Sequence, residues 1–88
     1  TLDRARVRRG RPAYLDVRVR PAFPGLRLEV HQRRAADPDP HVVPVRLDGA
    51  GRARVPLRTG RTGTYEVEVH GDLPEHWGTF PTRRLVVR

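Results

Sequence analysis

Apolar and polar residues alternate along seven short segments of this chain, each bounded by glycine, proline or aspartate-rich breakers. The clearest lies between Gly60 and Gly71, where Tyr65, Val67 and Val69 alternate with Glu66, Glu68 and His70. Strict alternation marks a strand with one apolar face and one wet face. Ala13 to Arg20 repeats it, with Leu15, Val17 and Val19 inward and Tyr14, Asp16, Arg18 and Arg20 outward. Gly25 to Arg33 sets Leu26, Leu28 and Val30 against Arg27, Glu29 and His31. His41 to Leu47 and Arg52 to Arg58 each contain a proline, Pro44 and Pro56. Proline cannot donate to a ladder, so both segments are predicted at sheet edges. Leu2 to Arg8 and Thr82 to Arg88 complete the set. Pro24-Gly25 predicts a turn and Asp48 to Gly51 a hairpin turn. Arg34 to Pro40 and Gly71 to Pro81 are predicted loops.

Seven such strands at intervals of about ten residues predict an all-β fold, a seven-stranded antiparallel sandwich, with a barrel as the other form. The expected interior contains Leu15, Val17, Val19, Leu28, Val30, Val55, Tyr65, Val67 and Val87. A five-stranded barrel that binds nucleic acid is a weaker reading, because two of the segments would have to be loops. The 88 residues suit one domain, 1–88, with one core. Helical spacing of apolar residues never extends beyond two turns, and no apolar run approaches a membrane span. The chain starts at Thr1 and shows no signal peptide, so it is read as a domain excised from a longer or processed protein.

Composition narrows the chemistry. Cys, Met, Lys, Asn, Ser and Ile are absent, and all 18 basic residues are arginine. That bias fits a GC-rich genome, which weakens the meaning of the formal charge of +8. Excess arginine attracts phosphate, acidic polymers and anionic surfaces, but it is also the ordinary solvent-facing residue of such a composition. Without Ser or Cys, nucleophilic catalysis is nearly excluded, and a threonine nucleophile would need a positioned base or a free amino terminus. Without Cys there is no disulfide and no thiolate metal site. No phosphate-cradling glycine loop or dinucleotide fingerprint is present.

Three stretches resemble immunoglobulin-like and fibronectin-type-III-like modules of bacterial exported and surface proteins. Gly10-Arg-Pro-Ala-Tyr-Leu-Asp-Val-Arg-Val-Arg-Pro21 is similar to the family's second strand, and Pro24-Gly-Leu-Arg-Leu-Glu-Val-His-Gln-Arg33 to its third. Leu47 to Leu57, leading into Gly63-Thr-Tyr-Glu-Val-Glu-Val69, resembles its run of turn, strand, loop, Gly-x-Tyr and strand. The cysteine pair and central-strand tryptophan of antibody domains are missing. The resemblance implies a spacer, a support for a neighbouring catalytic domain, or an adhesive surface, in an extracellular or cell-surface protein.

Tyr65 stands where a tyrosine corner stands, and its hydroxyl is expected to bond to backbone a few residues upstream. The loop from Asp72 to Phe80 is the best candidate contact. There Trp77, Phe80 and His76 either form a platform for sugar or protein, or Trp77 folds back over the end of the sandwich. The outward arginines, Arg18, Arg20 and Arg27 foremost, are candidate contacts for an anionic polymer. They also suit a solvated face in which arginine and glutamate pair across strands. Nucleic acid is disfavoured as a partner, since Tyr14 is the only aromatic on an outward strand face. His70, Asp72, Glu75 and His76 are close in sequence, and Asp37 and Asp39 supply two carboxylates. Surface loops collect such residues by chance, and Ca²⁺ wants 6–8 oxygen ligands, so neither a metal nor a cofactor is expected. The expected partners are neighbouring domains of the same chain or another protein, with an anionic or carbohydrate polymer as the alternative.

Overall fold

A computed structural model describes residues 1–19, 26–35, 37–71 and 81–88. These residues form seven strands and no helix. In chain order they are β1 (Arg6–Val7), β2 (Tyr14–Arg18), β3 (Leu28–Arg34), β4 (His41–Val45), β5 (Arg52–Pro56), β6 (Gly63–Gly71) and β7 (Arg83–Val87). Two sheets result, one of five strands in the order β1-β7-β6-β3-β4 and one of β2 with β5. Pro44 and Pro56 lie on β4 and β5, each an outer strand of its sheet, so neither ring interrupts an internal ladder.

Alternation builds the interior. All nine residues expected inside are buried, together with Val7, Ala13, Val45 and Leu85. The cluster draws Leu15, Val17 and Val55 from the smaller sheet and Leu28, Val30, Val67 and Leu85 from the larger. Leu85 is 0% exposed and Val30 and Val67 are 1% exposed. Burial of each such side chain contributes about 1.5–3 kcal/mol.

The expectation of a wholly antiparallel arrangement needs correction. β1 pairs with β7 in parallel, with Arg6 opposite Val86 and Val7 opposite Val87. The segment Leu2 to Arg8 is not one strand. Leu2 bridges Leu15 on β2, after which the chain crosses to β7. Leu2 and Val7 are an odd number of residues apart, so one straight strand would point them to opposite faces. Crossing between the sheets lets Val7 enter the core and packs Leu2 against it. Asp3 fixes the departure point: its N–H donates to the Tyr14 carbonyl at 3.1 Å, and its carboxylate accepts the Tyr14 N–H at 2.9 Å.

The predicted hairpin at Asp48 to Gly51 is also corrected. The turn is present, closed by Gly51 N–H donating to the Asp48 carbonyl at 3.0 Å. The carboxylate of Asp48 accepts the N–H groups of Ala50 and Arg52 at 2.9 and 3.0 Å. Yet β4 and β5 lie in different sheets, so this turn passes the chain between sheets.

Candidate functional site

Three polar constellations occupy the described surface. The first is on the outer face of the five-stranded sheet. Register sets Glu29 opposite His70 and His31 opposite Glu68 on β3 and β6. His31 Nε2 donates to Glu29 at 3.1 Å, and His70 Nε2 donates to Glu68 at 2.8 Å. An ionised carboxylate only accepts, which places the ring protons on these nitrogens. The two imidazole centroids are 4.0 Å apart and tilted by 36°. Among the described residues, no three His, Asp or Glu side chains are placed to hold a metal ion. In this arrangement both histidine Nε2 atoms are committed to carboxylates. The expected placement of arginine opposite glutamate across strands is met at Glu66, which faces Arg33 and Arg84, but fails at Glu29 and Glu68, where each faces a histidine.

The second lies on the two-stranded sheet. Arg54 stands 4.6 Å over the Tyr14 ring and pairs with Asp16 at 3.4 Å and Asp3 at 3.6 Å. Asp16 and Arg54 are direct cross-strand partners, so on this sheet the described cross-strand ion pair uses aspartate. One face of Tyr14 is thus covered by a guanidinium, which occupies the position a stacking base would take. Arg18 is exposed on β2, and Arg27 is exposed just before β3. Arg18 belongs to the two-stranded sheet, Arg27 precedes a strand of the five-stranded sheet, and the two line different depressions. Arg20, His76, Trp77 and Phe80 lie outside the described residues, as does most of the loop from Gly71 to Pro81.

The third is a polar depression at the end of the molecule where β3, β5, β7 and β1 finish. Gln32, Asp37, Asp39, His41, Arg58 and Tyr65 are among its lining residues. Gln32 is on the inward face of β3 and only 4% exposed. Its amide grips one residue twice: Nε2 donates to the Arg58 carbonyl at 2.7 Å, and Oε1 accepts the Arg58 N–H at 2.8 Å. The clasp ties the five-stranded sheet to the segment that follows β5. Sequence reading missed it, because alternation through Leu28 and Val30 predicts an apolar residue at position 32. Thr59, also buried, donates its hydroxyl to the Arg11 carbonyl at 2.8 Å. The Tyr65 hydroxyl donates to the Arg61 carbonyl, four residues upstream, at 2.9 Å. Arg34 donates to the Thr62 carbonyl at 3.3 Å and to Asp37 at 3.2 Å. Burial, then the nearby Arg58 charge, pushes the His41 pKa down from its ordinary value.

None of the three constellations assembles a nucleophile, a base and an oxyanion donor in one cleft. They are instead arrangements that fix backbone and balance charge. No protein-family model matches the chain, and comparison with curated proteins and with solved structures found no match.

Proposed function

We propose that the chain is an immunoglobulin-like β-sandwich that serves as a non-catalytic accessory module, spacing or docking a neighbouring domain in an exported bacterial protein. Three features support the sandwich: one buried cluster fed by both sheets, a first segment shared between them, and the Tyr65 to Arg61 hydrogen bond of a tyrosine corner. A crevice of about 170 Å³ lined by Leu15 and Val17 of β2 and Val67 and Val69 of β6 fits two facing sheets.

The observation that carries the spacer reading is the placement of the ends. Thr1 shares that crevice with Pro81 and Arg83, at the start of β7. Arg88 follows the end of β7, where its carbonyl accepts the Arg9 N–H at 2.8 Å. Thr1 and Arg88 therefore lie at opposite ends of the last strand, the geometry an in-line spacer needs. The absence of Ser and Cys and the arginine-only basic composition suit a non-catalytic module from a GC-rich genome.

The test is a fusion with a folded reporter at each terminus, studied by small-angle X-ray scattering. Spacing predicts reporters on opposite sides of the module, their attachment points separated by roughly the 17 Å length of the five-residue last strand. Reporters in contact on one side would refute it.

A further inference from the structure

The fold gathers an arginine cluster from two separate stretches of sequence, just beyond the ends of β1 and β5. Arg8, Arg9 and Arg11 come from the turn after β1, and Arg58 and Arg61 from the segment between β5 and β6. All five are exposed. Backbone contacts lock the two segments together. Gly10 N–H donates to the Thr59 carbonyl at 2.8 Å, and the buried Thr59 hydroxyl donates to the Arg11 carbonyl at 2.8 Å. Arg11 N–H closes its own turn on the Arg8 carbonyl at 3.0 Å, and Gly10 takes a φ of 83° there. Gln32 and Tyr65 hold the backbone of Arg58 and Arg61 from beneath.

No acidic residue lies within residues 8–12 or 57–62. None of the five guanidinium groups has an ion pair or hydrogen bond among the described residues. The neighbouring acids are Asp37, already paired with Arg34, and Asp39, which lines the depression beside Arg58 and Arg61. Several like charges on a rigid backbone, unneutralised by the protein, attract a polyvalent anion, and arginine forks fit phosphate and sulfate oxygens in bidentate geometry.

We propose that this end of the module binds a linear anionic glycan bearing sulfate or phosphate groups, through Arg8, Arg9, Arg11, Arg58 and Arg61. The inference goes beyond the spacer reading and does not depend on it. A glycan is favoured over nucleic acid for two reasons. The cluster sits on turns, with no helix or strand pair projecting to enter a groove. Among the described residues it also presents no base-stacking platform, since Tyr65 is 6% exposed and Tyr14 lies under Arg54 on the other sheet.

The test uses the whole chain, with heparin as the sulfated-glycan probe and double-stranded DNA of equal charge beside it, titrated calorimetrically from 50 to ~300 mM salt. One triple variant carries Arg8→Ala, Arg9→Ala and Arg61→Ala. A control of equal net charge carries Arg46→Ala, Arg52→Ala and Arg83→Ala, all exposed and away from this end. Thermal melts check that both variants are folded. The expected result is saturable heparin binding by the parent, weakened at least tenfold in the first variant and less than about threefold in the control. The salt slope should fall by roughly 2–3 in the first variant only, about one per lost contact. Equal losses in both variants would overturn the site in favour of diffuse charge. Tighter binding to DNA than to heparin, dependent on the same three arginines, would overturn the glycan assignment.

Discussion

Replacing Gln32 by alanine should be among the most damaging single changes at a polar position. The substitution removes both hydrogen bonds to Arg58. It leaves an N–H and a carbonyl unsatisfied beside a side-chain position that is only 4% exposed. Each orphaned group costs about 1–3 kcal/mol when water cannot reach it. Partial access of water at the depression argues for the lower half of that range, about 2–4 kcal/mol in all. A domain of this size has roughly 4–13 kcal/mol of stability, so from about a sixth to nearly all of it is at stake. The melting temperature should drop by about 8–32 °C, at 4–8 °C per kcal/mol. Gln32→Glu separates the hydrogen bonds from the space they occupy. At neutral pH the introduced carboxylate still accepts from Arg58 N–H but opposes the Arg58 carbonyl. Protonated, it donates again, so this variant should regain stability relative to the parent as pH falls toward 4. Paired melts of parent and both variants at pH 7 and 4 read this out. A loss below about 1 kcal/mol for alanine, or no acid recovery for glutamate, would show that water replaces the clasp.

Other consequences are equally direct. Tyr65→Phe keeps the ring but orphans the Arg61 carbonyl, so urea unfolding should report a loss of about 1–3 kcal/mol; no change would mean that the carbonyl finds water. Gly63→Ala should cost about 1–3 kcal/mol by the same measurement. Gly63 has a φ of 145°, and a Cβ there would stand 2.6 Å from Arg34 Cδ, so parental stability would show that both strain and Arg34 relax freely. His41 binds a proton less readily in the folded chain than at its ordinary value of 6.5. Stability should therefore fall as pH drops below about 6.5 toward the folded value, because the unfolded chain takes up the proton first. His41→Gln should remove that part of the pH dependence, and identical pH profiles for the two proteins would contradict it.

Much of this fold is legible in the sequence for a simple reason. Where a strand is buried on one face, alternation declares the face, as at Leu15 and Val17 or Tyr65 and Val67. Pro44 and Pro56 declare edges because a missing N–H is a local fact. What resists reading is non-local. Whether Asp48 to Gly51 joins paired strands depends on which sheet each neighbour enters. The division of Leu2 to Arg8 between sheets leaves only a faint sign, the odd spacing of Leu2 and Val7. Gln32 reads as an interruption of an apolar face until its partner at Arg58 is known. The five clustered arginines share no sequence window, so an eye trained on strand faces selects Arg18, Arg20 and Arg27.

The parallel pairing of β1 with β7 has a mechanical consequence. Val86 N–H bonds to the Ala5 carbonyl, Arg88 N–H to Val7 and Arg9 N–H to Arg88, at 2.8–2.9 Å. Tension applied between Thr1 and Arg88 pulls the two strands along their common direction in opposite senses. These bonds then bear load side by side and must rupture together, whereas an antiparallel hairpin pulled from its open end would unzip one bond at a time. The short segment from Ala5 to Arg9 thus acts as a shear clamp, and resistance to extension concentrates in a patch far smaller than the core.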